Sequence, residues 1–565
     1  MRLAAGSIWG LNPLSGMEAL SLILLKVWKY LHMGRVGQFG GESNPSLFSD
    51  LAGVRFGLEP ALSTKQIDLI PYRVASECAL EFRGRHVKNG TSRILAAGSN
   101  GNHSVAPINV AIIGGGFSGA VLAVQLLRAD SSASVAIIEK SSRMARGIAY
   151  NTPYERHLLN IPAGNMSALC DEPNHFLQWV RTHHDATAGK GSFLSRAIYG
   201  QYLESLQNEA AELSGGRRFQ SFQDEAVALY HDGSSFTIQM KSGKALLAET
   251  VVLALGNLAP RDPDFPGLVN GAKKFVSFAW SPAALEDLPN EGSVLLIGSG
   301  LTSVDMAAAL DARGFRGTIH VLSRHGLMPQ RHKEACQWAQ FWNEDSPRTA
   351  RGLLSLIRGQ VRDADAAGMD WRGVIDALRP ATQAIWRSLP NDERRRFLRH
   401  ARAYWEIHRH RIAPEIDGVI SRLRGEGRLL VHPGRITNYS EDERGAEVAF
   451  RCRRSGGQRR LLVDRVINCT GSEFDCRRTE DPLLANLQAT GMAKPGPLSL
   501  GLDIDSAGAV LDRNGLPTPS LYAIGPLRKG TLWETTAVPE IRKQASELAQ
   551  HLLRKLNPTL QLARS

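Results

Sequence analysis

Cysteine is scarce in this chain and is never closely paired. Six cysteines are spread over 565 residues, and no two of them form a CxxC pair. A disulfide scaffold needs denser cysteines and a zinc site needs paired ligands, so the sequence argues against both. It also argues against a dithiol–disulfide reductase. We predict no metal site, and free thiols in a reducing cytoplasm.

Long hydrophobic runs are absent as well. The longest early run, residues 20–25, ends at Lys26, far short of the ~20 apolar residues that a membrane-spanning helix needs. It also lies too far into the chain, after Glu18, for a typical signal peptide. We therefore predict no transmembrane segment and a cytoplasmic protein. Residues 18–32 fit an amphipathic surface helix, although a packed helix or an unstructured leader is the better interpretation.

The charge of the chain is positive and unevenly placed. A net charge of +12 fits an anionic partner, whether nucleic acid, a membrane face or a small molecule. Residues 331–425 hold 18 basic and 12 acidic residues, and residues 1–105 hold 11 and 7. The sequence has no nucleic-acid recognition motif. We therefore predict no nucleic-acid partner, and attraction of an anionic cofactor or substrate near residues 331–425.

Glycine, by contrast, is abundant, with 54 residues, and its clusters are informative. An apolar strand at residues 108–113 is followed by a GxGxxG turn, a helix and a second strand that ends at Glu139. The acid stands twenty residues after the last glycine, as in dinucleotide-binding βαβ units.

Each part of this unit has a chemical task. The glycines permit a tight turn, a close approach of the backbone to a pyrophosphate and close packing of the helix. The amides at the start of the helix face the anion, and the acid accepts from ribose hydroxyls. The unit predicts an FAD or NAD site whose residues are Gly114, Gly116, Phe117, Ser118, Gly119, Glu139 and Lys140.

A second copy of this layout begins at residue 293 and aligns with the first without a gap. Its turn is GxGxxS, and its second strand ends in Ser323 and Arg324 instead of an acid. A carboxylate would repel a ribose 2′-phosphate, whereas a guanidinium binds it with two charge-assisted hydrogen bonds. This copy predicts a site for NADPH rather than NADH, formed by Gly298, Gly300, Leu301, Thr302, Ser303, Ser323 and Arg324.

The two units predict an α/β fold with two Rossmann-like domains, for FAD and NADPH, the second inserted in the first, plus a helical insertion. The expected segments are a poorly defined N-terminal extension (1–105), the first part of the FAD domain (106–285), the first part of the NAD(P)H domain (286–332), the helical insertion (333–425), the rest of the NAD(P)H domain (426–471) and the C-terminal part of the FAD domain (472–557).

Seven stretches carry a family resemblance: AIIGGGFSGA (111–120), GIAYNTPYERHLLNIPAGNMS (147–167), LLIGSGLTSVDMA (295–307), HVLSRHGLMPQRH (320–332), HRHRIAPE (408–415), INCTG (467–471) and AIGPLRKGTLWETTAVPEIR (523–542). Over about residues 107–555 the chain resembles bacterial FAD/NAD(P)-binding flavoproteins, distant relatives of class B flavin monooxygenases. One branch with this flavin domain resembles FAD-dependent urate hydroxylase.

The resemblance implies further site residues. Asn160 and Met166 would lie by the isoalloxazine ring, and Gly525 would contact the FAD pyrophosphate, although Pro526 replaces the usual Asp after that glycine. Glu540 would stand at the start of a helix aimed at the flavin. The candidate catalytic residues are Trp533, Glu534 and His410.

Two of these candidates have ordinary structural alternatives. Trp533 would stack on flavin or substrate, or else pack as a core aromatic. His410 belongs to a His408–Arg411 cluster that would bind an anionic substrate, or else is a solvated basic helix end.

The expected function is an FAD-dependent NAD(P)H oxidoreductase that hydroxylates a small, anionic molecule with molecular oxygen. One departure leaves alternatives open: the class B fingerprint F-x-G-x-x-x-H begins at Phe265 and Gly267, but Gly271 stands where the histidine would be. An NADPH:acceptor reductase or oxidase without oxygen transfer is the first alternative. A basic nucleic-acid-binding protein and a flavoprotein held at a membrane by the leader helix are alternatives from other classes.

Overall fold

The computed structural model describes residues 107–129, 132–216 and 218–557. The N-terminal extension, with the helix predicted at residues 18–32, lies outside the described residues. The strands are β1 (Ile108–Ile113), β2 (Val135–Glu139), β3 (Phe219–Gln223), β4 (Ala226–His231), β5 (Phe236–Met240), β6 (Ala245–Leu253), β7 (Phe275–Val276), β8 (Ser293–Ile297), β9 (Thr318–Ser323), β10 (Leu429–Asp442), β11 (Gly445–Cys452), β12 (Gln458–Val463), β13 (Arg465–Asn468), β14 (Ala509–Leu511) and β15 (Pro517–Ala523).

The α-helices connect these strands or pack on them. They are α1 (Phe117–Arg128), α2 (Gly147–Tyr150), α3 (His175–His183), α4 (Arg196–Leu213), α5 (Leu301–Ala312), α6 (Ala350–Ala366), α7 (Trp371–Ala377), α8 (Thr382–Ser388), α9 (Asn391–His400), α10 (Arg402–Arg409), α11 (Pro414–Gly425), α12 (Pro482–Thr490), α13 (Lys529–Leu532) and α14 (Val538–Leu556). In the described part of the chain, no helix is both long and apolar enough to cross a membrane.

The first sheet has the strand order β14-β15-β6-β1-β2-β3, with the β4–β5 hairpin attached to β6. β1 pairs in parallel with β2 and β6, so it is central. Apart from Asn109, its residues are apolar and buried on both faces, as a central parallel strand requires. Helices α1, α4 and α14 pack over one face through residues such as Leu122, Tyr202 and Leu548.

The second sheet has the order β12-β11-β10-β9-β8-β13-β7. Its central strand β8 pairs in parallel with β9 and β13, and α5 follows it as α1 follows β1. Helix α11 packs with α5 on one face through Ile416 and Ile420. The structure therefore contains the predicted repeat of the βαβ unit.

The chain path explains how the two halves are interleaved. It leaves the first sheet after β6, builds the second sheet and returns as β14 and β15, of which β15 pairs in parallel with β6. The second half is thus inserted in the first, as predicted. Strand β7 already pairs with β13, so the chain enters the second sheet before the predicted boundary at residues 285 and 286. Helices α6 to α10 occupy the predicted insertion between β9 and β10.

Candidate functional site

The first glycine turn lies between β1 and α1 and accepts only glycine at its key positions. Gly114 has φ +105°, and a Cβ atom there would lie 2.3 Å from the Ala254 carbonyl oxygen. A Cβ at Gly119 would lie 2.0 Å from the Gly114 carbonyl oxygen, so the helix packs directly on the turn. Gly116 begins α1, and no side chain caps it. The first amides of α1 are therefore free to face an anion.

Glu139 lies beside this turn, where β2 ends. Its carboxylate accepts hydrogen bonds from the backbone N–H of Gly115, at 2.7 Å, and of Ser141, at 2.8 Å. A carboxylate has about four acceptor positions, so capacity remains for ribose hydroxyls. Lys140 is exposed and its Nζ lies 3.7 Å from Glu225.

The C-terminal loop closes on the same helix. A Cβ at Gly525 would lie 2.5 Å from Ser118 Oγ, so two predicted cofactor residues from distant parts of the chain are adjacent. Thr535 Oγ1 donates to the Gly525 carbonyl at 3.0 Å, and Gln544 Nε2 donates to Thr535 Oγ1 at 2.7 Å. The Phe117 ring packs in the core against Tyr150, so Phe117 offers its backbone amide. The open helix start, the glycines and the carboxylate fit the dinucleotide half of FAD.

The second glycine turn repeats this geometry with one substitution. Gly298 has φ +106°, and a Cβ there would lie 2.5 Å from the Cys469 carbonyl oxygen. Ser303, in place of the third glycine, is buried and donates from Oγ to the Gly298 carbonyl at 2.6 Å. The Gly298 carbonyl oxygen corresponds to the Gly114 carbonyl oxygen, against which Gly119 packs. Ser303 therefore forms a hydrogen bond where the first turn has only close packing. Gly300 begins α5 without a side-chain cap.

Arginines gather where β9 ends. Ser323 Oγ accepts from Ser299 Oγ at 2.8 Å and from the Gly326 N–H at 3.0 Å, which fixes this corner. Arg324 is exposed. Burial, together with the charges of Arg453, Arg324 and Arg435, lowers the pKa of the neighbouring His325 to about 4. Among the described residues, none of these three arginines forms an ion pair with a carboxylate.

One cleft, with an empty volume of about 1210 Å³, lies between the two sheets. Its walls come from both halves, and five predicted site residues line it: Asn160, Met166, Leu301, Thr302 and His410. His332 Nε2 donates to the Asn160 carbonyl at 2.9 Å, so a residue of the second half fixes the backbone of the first. The structure thus places predicted flavin and NAD(P)H residues around one space.

The cleft also contains a buried ion pair. Arg196, at the start of α4, lies 2.9 Å from Asp305 on α5 (Nη2 to Oδ2). His157 donates from Nε2 to the Asp305 carbonyl at 3.1 Å, and the Trp280 ring lies against both His157 and Arg196. Burial raises the pKa of Asp305 to about 6, while the charge and hydrogen bond of Arg196 oppose the rise.

His410 enters the cleft from the end of α10. Burial lowers the pKa of its side chain to about 4, with a further contribution from the charge of Arg409. It is therefore a neutral imidazole at pH 7. The neighbouring arginines are not free: Arg409 pairs with Glu534 at 2.9 Å, and Arg411 pairs with Asp376 at 2.9 Å. The predicted cationic cluster for an anionic substrate is thus neutralised within the fold.

The predicted catalytic loop is tightly packed. Trp533 is buried with φ +41° and stacks on Trp386 at 5.0 Å between ring centroids. Both oxygens of Glu534 are occupied: Oε1 accepts from Trp405 Nε1 and Oε2 from Arg409 Nε, each at 3.0 Å. This geometry favours a positioning role for Glu534 and the core-aromatic interpretation of Trp533.

Glu540 does stand at the start of α14, as predicted, but its carboxylate faces the insertion. It accepts from Arg379 Nε at 3.1 Å, and Arg409 Nη2 lies 3.7 Å away. Glu540 therefore links α14 to the helical insertion, and a role in cofactor binding stays a prediction.

The class B fingerprint segment lies at the edge of the second sheet. A Cβ at Gly267 would lie 1.9 Å from the Tyr439 carbonyl oxygen, so glycine is required there. Gly271 has φ +81° and open space around it. A Cβ atom at this position would meet no neighbour, but a histidine would be held in a left-handed conformation. The backbone has therefore adapted to glycine.

Sequence reasoning missed several residues of the site. Arg196 and Trp280 lie outside every motif, and His157 was given no role although it lies in the stretch at residues 147–167. Asp305 was assigned no chemistry, since a local cap or pair could explain it. Arg435 and Arg453 reach Arg324 only through the pairing of β10 with β9 and β11. Within the described residues, no cluster of three or more His, Cys, Asp or Glu side chains is arranged to hold a metal ion.

Comparison with known proteins identifies the first half. Residues 111–258 match a family model described as FAD-NAD(P)-binding. Residues 111–258 are therefore similar in sequence to this domain family. No curated protein matches the chain by sequence. The predicted family is therefore confirmed for the first half through its domain model.

Solved structures share the fold over most of the chain. Ornithine hydroxylase from Pseudomonas aeruginosa is 17% identical, with a TM-score of 0.56 over 80% of this chain and 100% of that one. L-lysine 6-monooxygenase from Pseudomonas syringae is 16% identical, with a TM-score of 0.55 over 79% and 99%. The cadaverine monooxygenase of Erwinia amylovora, solved with FAD, is 14% identical, with a TM-score of 0.56 over 79% and 94%. These likenesses confirm the predicted α/β fold.

Proposed function

We propose that this protein is an FAD-dependent NADPH oxidoreductase that hydroxylates a small molecule. One observation carries the proposal: two uncapped glycine turns, in two sheets, belong to halves that line a single cleft. Helix starts of this kind bind the phosphates of dinucleotides. Two such sites around one cleft bring two dinucleotides together, which is the arrangement needed to pass electrons between them.

Bound FAD would supply the redox chemistry, taking a hydride from NADPH and passing electrons on. The balanced reaction is substrate–H + O₂ + NADPH + H⁺ giving substrate–OH + H₂O + NADP⁺. Gly114, Gly119 and Glu139 would hold the adenosine diphosphate part of FAD, and Asn160 and Met166 would border its ring. His410 would present a neutral imidazole to the reacting groups. Aromatic and aliphatic side chains such as Trp280 and Leu258 contribute apolar surface to the cleft.

NADPH is the proposed nicotinamide cofactor rather than NADH. The positive charges of Arg324, Arg435 and Arg453 all act on His325, at the corner where the second ribose would lie. Three guanidinium groups without a carboxylate partner would repel one another, and a 2′-phosphate would neutralise them. This cluster supports the preference more strongly than Arg324 alone.

The proteins of similar fold are named for hydroxylation of ornithine, lysine and cadaverine. We propose the same reaction class for this chain. A second candidate is an NADPH oxidase or acceptor reductase without oxygen transfer, which Gly271 favours because the fingerprint histidine is missing. In the oxidase case the balance is NADPH + H⁺ + O₂ giving NADP⁺ + H₂O₂.

The test starts with the purified full-length protein. We expect a yellow protein with about one FAD per chain, whose flavin absorbance NADPH bleaches in the absence of oxygen. Two variants separate the sites: Gly114→Ala should lose FAD, whereas Gly298→Ala should keep FAD but lose bleaching by NADPH. Gly233→Ala is the matched control, because Gly233 also has φ +105° but open space around it.

The same protein distinguishes the two candidates. With substrate present, a hydroxylase consumes NADPH with matching product and little peroxide. Peroxide equal to the NADPH consumed, with every substrate offered, would support the oxidase. A colourless protein whose DNA binding falls steeply with salt would overturn both.

A further inference from the structure

The helical insertion borders a second cavity, separate from the cleft and partly open to solvent. Its volume, including the open part, is about 1100 Å³, and it is walled by helices α6 to α10 and by the C-terminal loop. Seven aromatic side chains border it: Phe341, Trp342, Trp386, Phe397, Tyr404, Trp405 and Trp533. Leucine and isoleucine side chains of α6, α7 and α8 cover most of the remaining wall. We call this cavity the chamber.

Several polar groups around the chamber are bonded to other parts of the protein. The indole N–H groups of Trp386 and Trp405 donate outward, to the Gly530 carbonyl at 2.8 Å and to Glu534 at 3.0 Å. Thr382 Oγ1 donates to the Leu378 carbonyl at 2.9 Å, within its own helix. Burial lowers the pKa of His408 to about 4, so that side chain is neutral at pH 7. The chamber therefore offers apolar surface and no ionised group among the described residues that line it.

The chamber and the cleft share a wall. His408 lines the chamber and His410 lines the cleft, two residues further along the same segment. In the C-terminal loop, Trp533 lines the chamber and Thr536 lines the cleft. The ion pair of Arg409 with Glu534 joins these two segments. Both segments therefore border the chamber and the proposed flavin site.

We propose that the chamber is the binding site for an uncharged, hydrocarbon-rich substrate, or for the hydrocarbon part of one. This inference rests on the proposed function and narrows its substrate class. A cavity with this apolar and aromatic lining is typical of sites that bury a small apolar ligand. A charged ligand would lose hydration there without gaining an oppositely charged partner.

Binding of straight-chain alcohols to the FAD-loaded protein tests the proposal. 1-Hexanol, 1-octanol and 1-decanol should bind at one site per chain, with affinity rising about fourfold for each added methylene. Calorimetry gives the affinity, and quenching of tryptophan fluorescence reports the location, since four tryptophans border the chamber. Octanoate and L-ornithine should bind at least tenfold more weakly than 1-octanol.

Two variants locate the site. Ala401→Trp fills the chamber and should weaken 1-octanol binding at least tenfold, whereas Ala366→Trp, on the exposed end of α6, should leave it unchanged. If Ala401→Trp loses FAD or unfolds, Ile385→Gln replaces it, because Ile385 also lines the chamber.

The proposal is overturned if 1-octanol shows no saturable binding, if affinity ignores chain length, or if the chamber variant and its control bind equally. These measurements need no turnover. Failure of the proposed function would show separately, as an absence of FAD or of bleaching by NADPH.

Discussion

Arg196 and Asp305 form an ion pair between the two halves of the molecule, with 2.9 Å from Nη2 to Oδ2. Arg196 is the first residue of α4 in the first half. Asp305 lies about one turn into α5, the helix that follows the second glycine turn. Both side chains are largely buried. A buried pair of this kind costs little while intact, but removal of one partner leaves an uncompensated charge.

The pair predicts a specific dependence of stability on pH. The pKa of Asp305 is raised by burial from 3.8 to about 6, so the folded protein holds this proton more tightly than the unfolded chain. The stabilisation of the folded state by protonation of Asp305 is fully present below about pH 4 and is lost as pH rises through 6. Relative to Asp305→Asn, the wild type should lose unfolding free energy over this window by up to about 1.4 kcal/mol per pH unit.

Urea denaturation at pH 4, 5, 6 and 7 measures that difference. Asp311→Asn controls for loss of a carboxylate on the same helix, where Asp311 pairs with Arg422. Parallel curves for the wild type and Asp305→Asn would contradict the prediction.

Substitution of Arg324 should change cofactor preference. Arg324→Ala removes one guanidinium from the cluster around His325, and a charge-assisted hydrogen bond contributes about 1.5–3 kcal/mol. We therefore expect KM for NADPH to rise roughly tenfold to a hundredfold, with KM for NADH unchanged. Steady-state kinetics with both cofactors measures this. Arg460→Ala, an exposed arginine of the same sheet, should change neither value, and an equal rise for both cofactors would refute a 2′-phosphate contact.

Substitution of Glu534 distinguishes a catalytic role of this residue from a positioning role. Glu534→Gln leaves the buried Arg409 without its main carboxylate, so the free energy of unfolding should fall by about 3 kcal/mol. The double variant Arg409→Met with Glu534→Leu should recover much of this loss, because both charges are removed. A large loss of kcat in Glu534→Gln, with stability unchanged, would instead establish the catalytic role predicted from the sequence.

Lys529 is a buried amine whose charge the fold disfavours. Burial and the charge of Arg402 lower its pKa to about 7, opposed by Glu406 and Glu534, and its Nζ lies 3.7 Å from the centre of the Phe474 ring. The pKa of Lys529 in the folded protein is below its unfolded value of 10.5, so the charged amine destabilises the folded state. This destabilisation is complete below pH 7 and disappears as pH rises to about 10.5. Lys529→Met should therefore be more stable than the wild type at pH 7.

The difference in stability between Lys529→Met and the wild type should shrink steadily between pH 7 and pH 10. Thermal unfolding over this range measures the difference. Lys543→Met, which removes an exposed lysine of α14, should be as stable as the wild type. A Lys529→Met variant less stable than the wild type at pH 7 would show that the amine is stabilised by its aromatic neighbours instead.

The two nucleotide-binding units were predictable because their signals are local. The strand, the glycine turn, the helix and the residue that ends the next strand lie within about 25 positions, so the order of residues alone predicts Glu139 beside Gly115. The replacement of glycine by Ser303 was visible, but its hydrogen bond to Gly298 was not.

The remaining features depend on packing between distant segments. Arg409 and Glu534 are 125 positions apart, and nothing in either segment names the other. The arginines of residues 331–425 predicted attraction of an anion. The structure pairs many of them with nearby or distant carboxylates and forms an apolar chamber beneath. No motif in the sequence predicts which face of each of these helices points inward.

The shared wall between chamber and cleft has a thermodynamic consequence. A ligand that shifts the 408–410 or 533–536 segment when it enters the chamber alters the surroundings of His410 and Thr536, and with them the affinity of the cleft for its nicotinamide ligand. Such coupling is reciprocal. If 1-octanol tightens binding of NADP⁺ by some factor, NADP⁺ must tighten binding of 1-octanol by the same factor.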